Sequence, residues 1–213
     1  MSDEEQLEKL AKQIMVCTKC ELHRSRKKAV PGEGPTHAEI MLIGEGPGFH
    51  ENEQGRPFVG AAGKFLDQLL EQAHVTRADV WITNVVKCRP PGNRDPLPDE
   101  IEICTGNYLQ HQIQLVNPSI IVTLGRFSMG LFFKAAKITE IHGQMRKVGD
   151  RFVIAMYHPA AALHQMALKP AIMTDFAKLT ELLKEARAEL GRSSAKGRAP
   201  KNEEDEPKQM SLF

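Results

Sequence analysis

Glu39-Ile-Met-Leu-Ile-Gly-Glu-Gly-Pro-Gly48 decides the fold. Its first half is a nearly continuous apolar run, short and bounded by glycine, as expected for a strand buried on both faces. Its second half is made of turn and loop residues. The same two-part unit recurs at Val80-Trp-Ile-Thr-Asn-Val85, at Ser119-Ile-Ile-Val-Thr-Leu124 and at Phe152-Val-Ile-Ala-Met156, each run again ending in loop residues. Between them the apolar spacing switches to that of a helix. Residues 61–74 carry Phe65, Leu66, Leu69 and Leu70, and residues 98–116 carry Ile101, Ile103, Leu109, Ile113 and Val116. Residues 126–136 carry Phe127, Met129, Leu131 and Phe132, and a closing helix is expected over about 172–190. Ahead of the first strand, residues 3–15 place Leu7, Leu10, Ala11 and Ile14 on one face. Alternating strands and helices predict an α/β fold of three layers, α/β/α, around a mainly parallel four-stranded sheet.

The 213 residues are enough for one domain with a full core, and 41% hydrophobic with 26% charged residues is the balance of a globular chain. No apolar run approaches the roughly 18 to 20 residues that cross a bilayer, and the acidic, amphipathic start MSDEEQLEKLAKQI does not suit a secretory signal. A cytoplasmic monomer is expected, with no membrane partner. The net charge of +1 does not announce a polyanionic ligand. Basic residues are instead local: Arg24, Arg26, Lys27 and Lys28 in one cluster, and Lys87, Arg89 and Arg94 in another. Such patches can track phosphates or simply be solvated surface.

Four cysteines are present, in a C-x2-C pair at Cys17 and Cys20 and a C-x15-C pair at Cys88 and Cys104. In a reducing compartment structural disulfides are not expected, and paired thiols at two distant places point to one metal site that joins them. Four inert core thiols are the other reading. Their neighbours Lys19, Glu21, His23, Arg24, Lys87 and Arg89 fit it poorly.

In an open α/β sheet, ligands bind outside the carboxyl ends of the strands. Here those ends carry Glu45 and Gly46, then Glu51 and Phe58, after the first strand; Asn84 at the end of the second; Gly125-Arg126 after the third; and Tyr157-His158-Pro159 after the fourth. Singly, each has a bland explanation: an amide ending a strand, a turn histidine, a core phenylalanine, solvated acids. Together, at successive strand ends, they favour one crevice. The glycine loop is not the G-x-G-x-x-G dinucleotide pattern, and neither a P-loop, a G-x-S-x-G elbow nor an H-E-x-x-H motif is present in the sequence.

GEGPG, GRPFVGAAGKFLD, ITNVVKCRPPGNRDP, NPSIIVTLG and YHPAAAL, in this order, resemble the uracil-DNA glycosylase superfamily, and within it family 4, the iron–sulfur enzymes. The resemblance spans roughly residues 7–186. It implies a 4Fe–4S cluster held by Cys17, Cys20, Cys88 and Cys104, with zinc the alternative for four thiolates. It implies a base flipped out of DNA into a pocket. There Phe58 would stack on the uracil ring, Asn84 would read its pairing edge, and a backbone N–H near Gly46 would add a contact. His158 would stabilise the charge developing on the leaving base, and Glu45 or Glu51 would stabilise the cationic sugar or place the water. The division between the two acids is left open. DNA contacts are expected from Lys87, Arg89 and Arg94, and from Leu163 or His164 in a segment HQMALKP that has no arginine. The acid run many members carry after GEGPG is here Phe49-His-Glu-Asn-Glu53. A related branch that bonds DNA through a histidine after the second strand is not matched, since RPPGNRDPLP has none. Excision of another deaminated base, or a non-catalytic iron–sulfur protein that binds DNA, are the alternatives.

Residues 191–208, GRSSAKGRAPKNEEDEPK, lack large apolar side chains and are expected to form a disordered linker behind a domain of residues 1–190. The closing Gln209-Met-Ser-Leu-Phe213 resembles the Q-x-x-L-F peptide that docks on sliding clamps, with Gln209, Leu212 and Phe213 as its anchors.

Overall fold

The computed structural model describes residues 1–192. Gly191 and Arg192, where the expected linker of residues 191–208 begins, still belong to the fold: Gly191 is the left-handed cap of the last helix, and Arg192 donates to the Asn117 and Pro118 carbonyls. The rest of that expectation, 193–208, and the clamp peptide 209–213 lie outside the described residues. Five strands form one sheet in the order β2-β1-β3-β5-β4: β1 (Ile40–Gly44), β2 (Val80–Asn84), β3 (Ile120–Leu124), β4 (Met145–Val148) and β5 (Arg151–Met156). The first four of that order run parallel, and every residue of β1, β2, β3 and β5 is buried. The four expected strands are all present. The fifth, Met-Arg-Lys-Val, pairs antiparallel with β5 around the turn at Gly149 and Asp150. It has no apolar run, because an edge strand with exposed Arg146 and Lys147 discourages pairing with other chains instead of filling a core.

Successive strand side chains face opposite layers. Met41, Ile43, Trp81, Ile121 and Val153 pack with the N-terminal helix Asp3–Met15 and with Leu109, Ile113 and Val116. Ile40, Leu42, Ile82, Val122 and Ile154 pack on the other side with the helices Ala61–Gln72, Lys169–Ala177 and Leu179–Leu190. The N-terminal helix starts in a capping box, in which Ser2 Oγ accepts the Glu5 N–H and Glu5 accepts the Ser2 N–H.

The helix expected over 98–116 is interrupted. Pro98–Cys104 passes into a π-helical turn at Thr105–Leu109 before Gln110–Val116. The Thr105 hydroxyl donates to the Ile101 carbonyl and Asn107 to that of Ile103, occupying acceptors that the wider register leaves. Over 126–136 only Arg126–Gly130 is helical, and Ala135 takes a left-handed conformation. The segment Phe49–Gln54, expected as loop, forms a short helix.

Candidate active site and cysteine centre

Strand ends are level: Gly44 pairs with Asn84 across β1 and β2, and Leu124 with Met156 across β3 and β5. The chain leaves β1 for β2 on one side and returns to β3 on the other, so the crevice between diverging connections opens above β1.

Asn84 is 2% exposed. A Cβ on Gly44 would stand 2.4 Å from Asn84 Oδ1 and 2.8 Å from Phe58 Cζ. The amide and the ring therefore converge on bare backbone, and only glycine leaves them room. Among the described residues nothing hydrogen-bonds the Asn84 side-chain amide. Gly46 lies one residue past Glu45, where a Cβ would come within 2.8 Å of the Val86 side chain.

Phe58 has φ 51°, the left-handed region that a bulky side chain rarely adopts. Three contacts impose it. Arg77 donates to the carbonyls of Pro57 (2.7 Å) and Phe58 (3.0 Å). Glu51 Oε1 accepts the N–H groups of Val59 and Gly60, both at 2.9 Å. Gly63 lies so close that a Cβ there would be 1.9 Å from the Phe58 oxygen. The ring so fixed stacks on His158, centroids 5.5 Å apart and planes 26° from parallel. Glu51 thus braces the loop that carries the ring, while Glu45 makes no such bond to that loop. Arg77, absent from the sequence expectations, is the other brace.

His158 caps the helix Pro159–His164, its Nδ1 accepting the Ala160 N–H at 3.1 Å. The proton of the neutral ring is therefore on Nε2. Burial pushes the imidazolium down to about 4, with Glu51 pulling the other way, so the ring is uncharged at neutral pH. Burial, reinforced by the Asp95 carboxylate, raises the Glu45 carboxyl above its ordinary value, and Arg126, paired with Asp95, opposes the rise. A carboxylate, a neutral N–H donor, an unsatisfied amide and an aromatic face so share one crevice.

The four cysteines line one small pocket, together with Ile14, Leu22, Arg26, Lys87 and Tyr108. All four are free thiols. Burial raises Cys20 and Cys88 above the ordinary thiol range and Cys104 to about 12, which disfavours reactive thiolates. Donors nonetheless face the sulfurs: Lys87 N–H to Cys104 (3.3 Å), Lys19 N–H to Cys17 (3.5 Å) and Arg26 Nη1 to Cys88 (3.3 Å). Arg26 also donates to the Cys17 and Met15 carbonyls, tying both cysteine-bearing segments together. Sulfur donors converging on one cavity, with N–H groups aimed at them, suit metal-bound thiolates. Among the described residues no three His, Cys, Asp or Glu side chains are gathered for a single metal ion.

The expected DNA contacts divide. Lys87 is a correction: it is 1% exposed, and its ammonium donates to Thr83 Oγ1 (2.7 Å), the Asn84 carbonyl (2.6 Å) and Gln112 Oε1 (2.7 Å). Three buried acceptors hold it under the sheet edge, and burial draws its pKa down to about 8. Its flanking Cys88 and Arg89 gave it the look of a surface residue, while Gln112 lies far away in sequence. Arg94 is held by both oxygens of the buried Glu100. Arg89 is tied to Asn93 and lies over the ring of Phe49. Leu163 and His164 are both exposed, at the end of the helix that His158 caps.

A mainly parallel sheet with helices on both faces carries this crevice at its carboxyl edge. A family model described as the uracil DNA glycosylase superfamily matches residues 31–186, and the chain belongs to that superfamily. It is 44% identical over 187 residues to a type-4 uracil-DNA glycosylase of Archaeoglobus fulgidus, covering 84% of this chain and 94% of that protein. A type-4 enzyme of Thermotoga maritima is 40% identical over 85% of this chain and 96% of its own. A type-5 uracil-DNA glycosylase of Pyrobaculum aerophilum is 32% identical over 62% of this chain and 66% of its own.

Proposed function

We propose that the protein is a monofunctional uracil-DNA glycosylase that extrudes uracil from DNA and hydrolyses its N-glycosidic bond, leaving an abasic site. The observation that carries this reading is the neutral His158, stacked on Phe58 and presenting an Nε2–H donor. Cleavage of the bond leaves negative charge on the base and positive charge on the sugar. A fixed neutral donor stabilises the anion most where it develops, at the uracil O2, and needs no reorganisation to do so. The Asn84 amide reads the pairing edge, where uracil offers an acceptor at the position at which cytosine offers a donor. Phe58 holds the ring plane, and the Gly46 main chain closes the side. The Glu45 carboxylate faces the sugar, stabilising its cationic character or holding the attacking water. Glu51 acts through the loop it braces. Lyase chemistry through Lys87 is disfavoured, because its three donors are committed to Thr83, Asn84 and Gln112.

Cys17, Cys20, Cys88 and Cys104 would hold a 4Fe–4S cluster, whose contribution when bound is to join the N-terminal segment to the loop after β2. Support for that assignment is that the four thiols line one pocket and receive N–H groups from Lys19, Arg26 and Lys87, with zinc the alternative for four thiolates. The free thiols also suit a reducing, cytoplasmic location, and among the described residues no helix is long and apolar enough to cross a membrane. A sliding clamp engaged through Gln209, Leu212 and Phe213 completes the reading. Deleting residues 209–213 should abolish clamp binding and leave excision of free oligonucleotides unchanged.

The test is incubation of the purified protein with uracil-containing single- and double-stranded oligonucleotides, beside His158→Ala and Asn84→Ala. Abasic product from the wild type and strongly reduced product from both variants are expected. No abasic product from the wild type defeats the reading. A visible charge-transfer band separates iron–sulfur from zinc.

A further inference from the structure

We propose that Phe49 and Arg89 form a stacking platform for the nucleobase that neighbours the extruded uracil in single-stranded DNA. The inference rests on the functional reading above and adds a second base subsite to it. Phe49 is 55% exposed, an unusual position for a phenylalanine in a chain whose other site aromatic, Phe58, is buried. It is not loose. The Arg89 guanidinium lies over its ring, 5.4 Å from the centroid, and the His50 ring meets it edge-on, also at 5.4 Å. Arg89 is in turn steadied by its bond to Asn93 Oδ1 at 2.8 Å.

The placement follows from the sheet. Gly44 and Asn84 are paired at the carboxyl ends of β1 and β2, and Phe49 and Arg89 stand at equal distance along the chain beyond each. Phe49 and Arg89 thus bring together the two connections that leave the paired carboxyl ends of β1 and β2. The platform is also built on the same short helix, Phe49–Gln54, whose Glu51 braces the Phe58 loop. His50 packs toward Gly60, where a Cβ would meet its ring at 3.2 Å. Lys27 pairs with Glu53 of that helix, and the Lys28 side chain lies by Gly55 at its end, so cations flank it. An aromatic face beside a guanidinium matches a nucleobase. Aromatic side chains and arginine planes stack bases with little regard to sequence, worth about 1–3 kcal/mol per base.

The experiment uses the full chain and single-stranded oligonucleotides carrying one uracil, with both neighbours intact or with either neighbour replaced by an abasic tetrahydrofuran spacer. For the wild type, a spacer on one side should lower kcat/KM by about tenfold, the equivalent of roughly 1.4 kcal/mol. Phe49→Ala should lose about the same factor on the intact oligonucleotide and become indifferent to that spacer. Phe49→Tyr should restore both the rate and the spacer effect, while Phe49→Leu should not. Since the ring is exposed, an unchanged melting temperature is expected for each variant. The proposal is overturned if Phe49→Ala matches the wild type throughout, or if spacers slow the two equally. A wild type that excises nothing would refute the functional reading instead, and anisotropy binding of the same oligonucleotides would then decide the platform by itself.

Discussion

Three residues separate the two centres of this protein along the chain, and they are built in opposite ways. Asn84 belongs to the crevice proposed to take the base and Cys88 to the cysteine cavity, with Lys87 buried between them. The pocket is made where side chains are missing: Gly44 and Gly63 let an amide, a ring and a carbonyl come within distances no Cβ would permit. The cysteine cavity is made where side chains converge, from two segments far apart in sequence that Arg26 and the thiols draw together. The difference teaches that the loop after β2 does two separate jobs, and that chemistry and stability should separate under mutation.

The largest effect that would sharpen the comparison is on the cysteine side. Cys17→Ala should remove the visible band and lower the melting temperature by about 10 °C or more. A lost metal ligand is worth several kcal/mol, and each shifts a domain of this size by about 2–4 °C. DNA binding should fall with it, while turnover of substrate that is bound should persist. A stable, cluster-free, DNA-binding variant would break the contrast. On the pocket side, His158→Ala should cost about 10²- to 10³-fold in kcat, the usual loss on removing one such donor, with a melting temperature lower by only about 2–4 °C for the lost Ala160 cap. Unaltered single-turnover rates would refute the role given to it. Gly44→Ala should cost roughly 10²-fold, because its methyl group displaces both the amide and the ring; saturation kinetics would register it.

A smaller effect is expected at the junction. Lys87→Met leaves three buried acceptors short of a donor and should destabilise by about 1–3 kcal/mol, read from chemical denaturation. The smallest is a pH effect. His158 holds its folded-state pKa near 4, below the ordinary 6.5. The folded form therefore binds the proton less readily than the unfolded form. Stability from this residue is whole above pH 6.5 and declines as the pH drops toward 4. His158→Asn, which can still accept the Ala160 N–H as a cap, should flatten that part of the stability curve. An identical slope in both proteins would count against a buried neutral imidazole.

How far the molecule was legible in its sequence follows from the range of the forces involved. The N-terminal helix Asp3–Met15 could be read to its ends, because Ser2 and Glu5 close its first turn locally and Leu7, Leu10 and Ile14 mark its buried face. The four parallel strands were legible from their apolar runs. Strand β4 was not, since an edge strand owes its existence to pairing with β5 and not to its own composition. The helix Phe49–Gln54 was hidden by its acids and flanking glycines, although Glu51 N-terminal to Gly55 is an ordinary helix end. In the site, Asn84, Phe58 and His158 could be picked out as strand-end residues. Which nitrogen of His158 carries the proton depends on the turn at Ala160, and the burial of Lys87 depends on Gln112, so neither has a local signal.

The left-handed Phe58 has a consequence for capture. Such a conformation costs a bulky residue of order 1–3 kcal/mol, and here Arg77, Glu51 and Gly63 absorb that cost while the chain folds. In the proposed role of Phe58, an arriving base would meet a wall already in place and spend none of its stacking energy on freezing a loop. The slow event is then left to the nucleic acid: the rate at which a nucleotide swings out of its own strand, and not any closing of the protein, would govern how quickly a lesion is found.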